Sequence, residues 1–336
     1  MSKDQWLSFD WVEWYLDRTM RPTVLVGLVC LGLAVPRAEQ PASNAPFLLG
    51  VLNRDGLAIP FAAYTGKRWV SPWPQDQRGE MPISLGDVDN DWWGIGARPE
   101  RMSVWSNGQK SGEVSFTALS QVKALCSARL GLRTDYKPRE LAPPRLKQPY
   151  PKDGLLVSGD VTVGRIEFVE RNSTEWQRAL TLIRDEFDKM EKRAIRSFDA
   201  WEHPFPEAAR KKTPITMEAM YKVPSDAAGW TTYFVESVRQ YPARLRDSGC
   251  GLATTGQGWV HLGPSGKTHV ELASRVTYCD RKGVGFMLPF GTVRASGRTY
   301  WVYQYSGYDD EFYQVVRPEP DDVKVVAGYH AGSCPE

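Results

Sequence analysis

The sequence has no excess of charge of either sign. Its 336 residues hold 42 Lys and Arg against 40 Asp and Glu, which gives a formal net charge of +2. A chain this balanced has no strong overall field to attract nucleic acid or an anionic membrane surface. We therefore predict that nucleic acid is not a partner of this protein.

Long apolar runs are also absent, apart from one short segment near the N-terminus. Residues 23–35, TVLVGLVCLGLAV, carry no charge. This run is too short to span a bilayer comfortably and has the length of the apolar region of a signal peptide. We predict that residues 1–42 comprise an N-terminal extension and a signal peptide, with Met20 as the hypothetical translation start. The protein is then secreted or periplasmic. The alternative is anchorage by an uncleaved leader, the only case in which we expect membrane contact.

Cysteine is scarce and follows no metal-binding pattern. Five cysteines occur, one of them within the leader, and neither a C-x-x-C motif nor a Cys/His spacing typical of zinc is present. We expect no cofactor. The other four cysteines predict two disulfides in an oxidising compartment, Cys250 with Cys279 and Cys126 with Cys334. Pairing of Cys279 with Cys334 is the alternative.

The sequence lacks the G-x-S-x-G motif of serine hydrolases, and no Ser or Cys lies in a recognisable nucleophile elbow. Two carboxylates that face a cleft would suffice for glycoside hydrolysis. The candidates for this role are Glu236, Glu271, Asp309, Asp310 and Glu311. Because carboxylates in turns are usually only solvated, the catalytic residues stay unassigned, and we favour a protein that is not an enzyme.

An incomplete calcium motif is present. Asp87, Asp89 and Asp91 alternate as the first ligands of a calcium loop do. Trp92 stands where that loop requires glycine, and Arg98 where it requires glutamate. We therefore predict no metal site, and keep the three aspartates only as candidates beside the alternative of an acidic turn.

Aromatic residues, glycine and proline are plentiful. The chain has 13 Trp, 14 Tyr and 12 Phe alongside 29 Gly and 24 Pro. Aromatic residues suit a half-buried sheet, while glycine and proline favour turns. Short apolar runs between turn residues predict β-rich, sandwich-like or barrel-like parts at 46–137 and 213–334. Residues 138–152, rich in proline and basic residues, predict a linker.

One long helix is predicted over residues 172–201, within a segment, 153–212, that begins with a strand. Apolar residues recur at alternating steps of four and three from Trp176 to Trp201, which is one face of a helix. The predicted fold class is therefore α+β, predominantly β, with this amphipathic helix between the two β-rich parts. We expect the helix to pack across a sheet. An exposed, partner-binding helix is the alternative.

Two further features bear on ligands. His261 and His269 flank one turn, so they could approach each other across a hairpin, either in a metal or acid–base role or as a simple surface pair. Five tryptophans in the first β-rich part could stack on sugars or could pack the interior. These tryptophans are Trp69, Trp73, Trp92, Trp93 and Trp105.

The sequence thus favours an exported, non-catalytic binding protein of the envelope or the extracellular space, with carbohydrate or envelope components as partners. One alternative is a secreted, carboxylate-dependent hydrolase of polysaccharide or peptide. The other is a structural partner in an envelope assembly that docks through the long helix.

Overall fold

The computed structural model describes residues 44–75, 84–106, 108–137, 152–197, 203–241, 251–278, 281–307 and 310–334. In these ranges most of the chain forms β-strands, and one long helix lies between the β-rich parts. This confirms the predicted α+β, predominantly β fold class. The predicted leader, residues 1–42, lies outside the described ranges. Within them, no helix is both long enough and apolar enough to cross a membrane.

The first β-rich part forms an eight-stranded antiparallel sheet, which we call the N-terminal sheet. Its strands are β1 (Phe47–Asn53), β2 (Leu57–Tyr64), β3 (Trp69–Val70), β4 (Met102–Ser106), β5 (Gln109–Val114), β6 (Phe116–Ala124), β7 (Ser127–Thr134) and β8 (Lys152–Val157). Their order is β5-β4-β8-β1-β2-β7-β6, with β3 paired to β2. Strand β8 follows the predicted linker along the chain and inserts between β1 and β4. Of that linker the structure describes only Lys152, so the predicted domain boundary stays a prediction.

A second sheet, which we call the helix-side sheet, has five antiparallel strands. These are β9 (Glu167–Phe168), β10 (Thr216–Pro224), β11 (Thr231–Gln240), β12 (Leu252–Leu262) and β13 (Thr268–Tyr278). Their order in the sheet is β13-β12-β11-β10-β9, so the four long strands form a simple meander.

The last four strands form a third sheet, which we call the central sheet. They are β14 (Gly285–Ala295), β15 (Arg298–Gly307), β16 (Asp310–Pro318) and β17 (Val323–Ser333), each paired with the next along the chain.

Both faces of the central sheet are buried. In β15, Tyr300 and Val302 belong to a hydrophobic core shared with the N-terminal sheet. The alternating residues Trp301 and Tyr303 belong to a second core, shared with the helix-side sheet. Successive side chains on a strand point to opposite faces, so the near-continuous apolar sequence of β15 reflects a strand that is covered on both sides.

The long helix α1 (Thr174–Ser197) covers the other face of the helix-side sheet. Its residues Trp176, Ile183 and Phe187 are buried in the core between the helix and that sheet. The prediction of a helix packed across a sheet is therefore confirmed. The helix begins two residues later than expected because the Ser173 hydroxyl accepts a hydrogen bond from the Trp176 N–H at 3.2 Å and so caps the first turn. A short helix, α2 (Glu207–Lys212), follows it.

The layers thus stack as N-terminal sheet, central sheet, helix-side sheet and α1. A disulfide between Cys126, in the β6–β7 turn, and Cys334, just after β17, links positions 208 residues apart in sequence. It confirms that predicted pairing and makes the alternative pairing of Cys334 with Cys279 wrong. Cys250 and Cys279 lie outside the described residues.

Candidate functional site

Each of the three interfaces between layers holds one buried glutamate. Glu311 lies between the N-terminal and central sheets, Glu236 between the central and helix-side sheets, and Glu191 between the helix-side sheet and α1. Their exposed fractions are 0%, 5% and 3%, respectively. A buried carboxyl group is unfavourable unless it is paired, hydrogen-bonded or protonated. The three glutamates meet this requirement in different ways.

Glu311 is neutralised by a lysine from the N-terminal sheet. Its Oε1 lies 2.7 Å from the Lys152 Nζ and accepts a hydrogen bond from the Tyr313 hydroxyl at 2.5 Å. The Lys152 side chain is itself only 8% exposed. This pair ties the first residue of β8 to β16. It is a buried structural ion pair, and it takes Glu311 out of contact with solvent.

Glu236 has no cation in direct contact among the described ion pairs. Its Oε1 accepts a hydrogen bond from the Met287 backbone N–H at 2.7 Å. Burial raises the pKa of Glu236 to about 8, and the Met287 hydrogen bond opposes this shift only in part. The nearby Glu218 adds to the rise, although it is itself paired with Arg281 at 2.6 Å. Glu236 is therefore protonated in the folded protein at neutral pH.

Glu191 is held by a dense polar network. Its two oxygens accept hydrogen bonds from Arg239 Nη1 and from the Tyr241 hydroxyl, both at 2.5 Å. Arg239, only 2% exposed, also donates to Asp188 Oδ1 at 2.7 Å and lies over the Phe187 ring at 5.1 Å. The network fixes the second half of α1 to β11.

The three glutamates lie toward the same end of the stack. The Met287 N–H donates to Glu236, and the residue before it, Phe286, pairs with Ser306 of β15. Ser306 in turn pairs with Glu311 of β16. Arg239, the partner of Glu191, comes three residues after Glu236 on β11. One end of the molecule is therefore fixed by buried polar contacts through all four layers.

At this end, a groove of about 440 Å³ lies between α1 and α2. Five cationic side chains line it, namely Lys189, Lys192, Arg193, Arg196 and Lys211. Three acidic side chains line it as well, namely Asp185, Asp188 and Glu207. Eight charged side chains therefore line the groove, with cations in excess.

Most of the acidic groups in the groove are already paired. Asp188 binds Arg239 from the interior side, as described above. Glu207 lies 2.9 Å from Lys211 and 3.7 Å from Lys192. The hydrogen bond from Lys211 lowers the pKa of Glu207 and keeps it ionised. Among the described residues, Arg193 has no carboxylate within ion-pair distance.

The five candidate tryptophans lie in or beside the core of the N-terminal sheet. Trp73 and Trp93 are each 1% exposed, and the Trp73 indole N–H donates to the Leu130 carbonyl at 2.9 Å. These two side chains pack the interior and have no face open to a sugar. Trp69, Trp92 and Trp105 are half-buried against the same core.

The candidate catalytic carboxylates do not meet. Glu311 is buried, as described. Asp310 is exposed and lies 3.5 Å from His330, while Glu271 is exposed on the helix-side sheet and lies 3.1 Å from His269. Asp309 lies outside the described residues. Sequence reasoning placed these carboxylates in one group, but the strand alternation of β16 turns Asp310 and Glu311 to opposite sides.

Two of the three candidate calcium ligands, Asp87 and Asp89, use their carboxylates in local turns. Asp87 Oδ2 accepts hydrogen bonds from the Ser84 N–H and hydroxyl at 2.9 and 2.8 Å. Asp89 Oδ1 accepts from the Asp91 N–H at 2.9 Å. In the part of the chain that the structure describes, no three His, Cys, Asp or Glu side chains are grouped so as to hold a metal ion.

The two candidate histidines do approach each other. His261 and His269 pair directly across the β12–β13 hairpin, with ring centroids 6.0 Å apart. His261 is fully buried, and its Nδ1 lies 3.2 Å from the Thr232 hydroxyl. Burial lowers the pKa of His261 to about 4, so its ring is neutral at physiological pH.

Comparisons with protein-family models, with curated proteins and with solved structures give no match for this chain. The groove was not anticipated from the sequence, although a local signal for it exists. Lys189, Lys192, Arg193 and Arg196 recur at helical spacing, and so lie along one face of α1. The buried Glu191 carries a similar signal, since it falls four residues after Phe187 on the apolar face.

Proposed function

We propose that this protein is a non-catalytic binding protein of the cell envelope or the extracellular space, and that it binds its ligand in the groove between α1 and α2. The observation that carries this proposal is the groove itself, a cleft of about 440 Å³ with charged walls. Clefts of this volume are typical of ligand sites. Carbohydrate is the ligand class that we propose.

The positions of the carboxylates support binding rather than hydrolysis. A glycosidase needs two carboxyl groups about 5 to 9.5 Å apart on either side of the scissile bond. Glu311 is buried against Lys152, and Glu271 lies exposed on another sheet. Within the groove, Asp188 and Glu207 are both ion-paired, and a carboxylate held in an ion pair is a poor proton donor.

The disulfide supports the proposed location. Cys126–Cys334 is a bond that forms and persists in oxidising compartments such as the periplasm or the extracellular space. Together with the uncharged run at residues 23–35, it favours an exported protein.

The test is retention of the purified protein on a panel of insoluble polysaccharides, neutral and acidic, while soluble products are assayed in the same tubes. A groove variant, Arg193→Glu with Arg196→Glu, is compared with a control, Arg178→Glu with Arg184→Glu. The control reverses two exposed arginines on the same helix that do not line the groove.

We expect the wild type and the control to be retained, without products, and the groove variant to be lost from the solid phase. Released sugars would replace this proposal with the hydrolase alternative. Equal retention of both variants would show that binding takes place outside the groove, and retention on no polysaccharide would remove carbohydrate as the ligand.

A further inference from the structure

The groove carries uncompensated positive charge after its internal ion pairs are taken into account. Asp188 is satisfied from the interior by Arg239 at 2.7 Å, and Glu207 is shared by Lys192 and Lys211. Lys189 is paired with Glu186 at 3.0 Å. Asp185, the third lining carboxylate, has no described ion-pair partner, so the lining keeps a small excess of positive charge. Arg193 and Arg196 are both exposed, and among the described residues neither has a carboxylate within ion-pair distance. A bound anion would therefore meet two guanidinium groups that no described carboxylate neutralises.

The cations form a row along the helix axis. Lys189, Lys192, Arg193 and Arg196 occupy positions i, i+3, i+4 and i+7 of α1, which lie on one face of a helix. At 1.5 Å of rise per residue, this row is about 10 Å long. It matches a ligand with several anionic groups along its length better than a ligand with a single charge.

The row is held in place from beneath. Arg239, between Asp188 and Glu191, anchors this half of α1 to β11, and Phe187 is fully buried under the same guanidinium. A cationic surface on a fixed helix loses little conformational entropy when it binds. Only the arginine and lysine side chains themselves need to become ordered.

The lining also argues against nucleic acid. No aromatic side chain lines the groove, whereas proteins that bind single strands stack bases on aromatic rings. The formal net charge of the whole chain, +2, gives no broad basic surface for a duplex. Recognition by charge without stacking fits a polymer whose anionic groups project from saturated rings.

We infer that the groove binds an acidic polysaccharide, whose carboxylate or sulfate groups contact Arg193, Arg196 and the lysines beside them. This inference rests on the proposed function and names the ligand class for the same site. Guanidinium groups suit it because each can donate two parallel hydrogen bonds to one carboxylate or sulfate.

The test measures the affinity of the full chain for two soluble polymers by isothermal titration calorimetry. One is polygalacturonate, and the other is the same polymer after methyl esterification, which removes its charge. We expect at least a tenfold preference for the charged polymer, and a clear loss of affinity as salt is raised, because exposed charges are screened. Arg193→Glu with Arg196→Glu should lower the affinity for polygalacturonate at least tenfold. Arg193→Lys with Arg196→Lys keeps the charge but loses the paired donors, so its affinity should lie between those of the wild type and the charge-reversal variant. The control, Arg178→Glu with Arg184→Glu, should bind polygalacturonate within about threefold of the wild-type affinity.

Three results would overturn the inference. Equal affinity for the charged and esterified polymers would show that charge is not recognised. If the groove variant then lost affinity for both polymers, the groove would remain a binding site, but for a neutral ligand. Failure of both polymers to bind, in a protein that is retained on neutral solid polysaccharides, would also exclude an acidic polysaccharide as the ligand. Tighter binding of a thymidine oligonucleotide than of polygalacturonate would make the groove a nucleic-acid site. If the protein also fails every retention assay, the proposed function fails with the inference.

Discussion

Glu236 should make the stability of this protein fall as the pH rises from 5 to 8. Its carboxyl group has a pKa of about 8 in the folded chain, against an ordinary value of 4.5. An acid whose folded pKa is raised binds its proton more tightly in the folded state. Its contribution is therefore complete below about pH 4.5 and is lost as the pH climbs through 8.

The magnitude follows from the shift. Each pKa unit corresponds to about 1.4 kcal/mol, so the folded state loses about 3 to 4 kcal/mol between pH 5 and pH 8 from this group alone. Because Glu236 is only 5% exposed, solvent screening reduces this figure little. The loss would be a large part of the stability of an ordinary domain.

The assay is urea unfolding at pH 5, 6, 7, 8 and 9 for the wild type and for Glu236→Gln. Glutamine keeps the acceptor for the Met287 N–H but cannot ionise, so the variant should lack this part of the pH dependence. Relative to the wild type, it should become about 3 to 4 kcal/mol more stable as the pH rises from 5 to 8. Glu170→Gln, which removes an exposed carboxylate just after β9 that forms no described ion pair, is the control and should follow the wild type. Parallel curves for the wild type and Glu236→Gln would refute the reasoning, since they would mean that Glu236 is ionised in the folded protein.

Three further changes test the packing and the cross-links. Glu191→Gln removes one of the two carboxylates that are paired with the buried Arg239, and Asp188 remains. Urea unfolding should therefore show a loss of about 2 to 3 kcal/mol, and a loss under about 1 kcal/mol would mean that the Glu191–Arg239 pair is open to solvent. Replacing Cys126 and Cys334 by serine releases a constraint on a loop of 208 residues. The free energy of unfolding should fall by about 3 to 5 kcal/mol, and reductant should destabilise the variant less than the wild type, because this disulfide is already absent from the variant. Phe187→Ala should lower the free energy of unfolding by about 3 to 5 kcal/mol in the same urea assay, because the ring is fully buried between α1 and the helix-side sheet. An effect near zero would place the ring outside the core.

Part of this architecture could be predicted because its signals are local. The apolar spacing from Trp176 onward defines α1 without knowledge of what it packs against, and strands separated by turn residues define a β-rich chain. The pairing of Cys126 with Cys334 followed from an even cysteine count and a process of elimination. These features depend on residue periodicity and number, which a single sequence carries.

The layer order and the site depend on long-range contacts, and so could not be predicted. In β15, Trp301 and Val302 are both apolar, so the strand sequence does not tell which face meets which sheet. Glu191 lies in the apolar row of α1, but it is buried only because Arg239 arrives from β11, 48 residues later. The groove likewise needs α2 to lie beside α1. The cations on α1 could have been noticed at their helical spacing, but the cleft could not.

The place of the central sheet has a consequence for how the chain reaches its folded state. Residues 285–333 are synthesised after both of the sheets that they separate. Until they are present, the N-terminal sheet and the helix-side sheet each have an apolar face with nothing to cover it. Contacts between such distant segments form slowly, and uncovered sheet faces are prone to aggregate. The early sheets therefore depend for their solubility on the part of the chain made last, and a ribosome that stops before β14 would release a product with two exposed apolar faces.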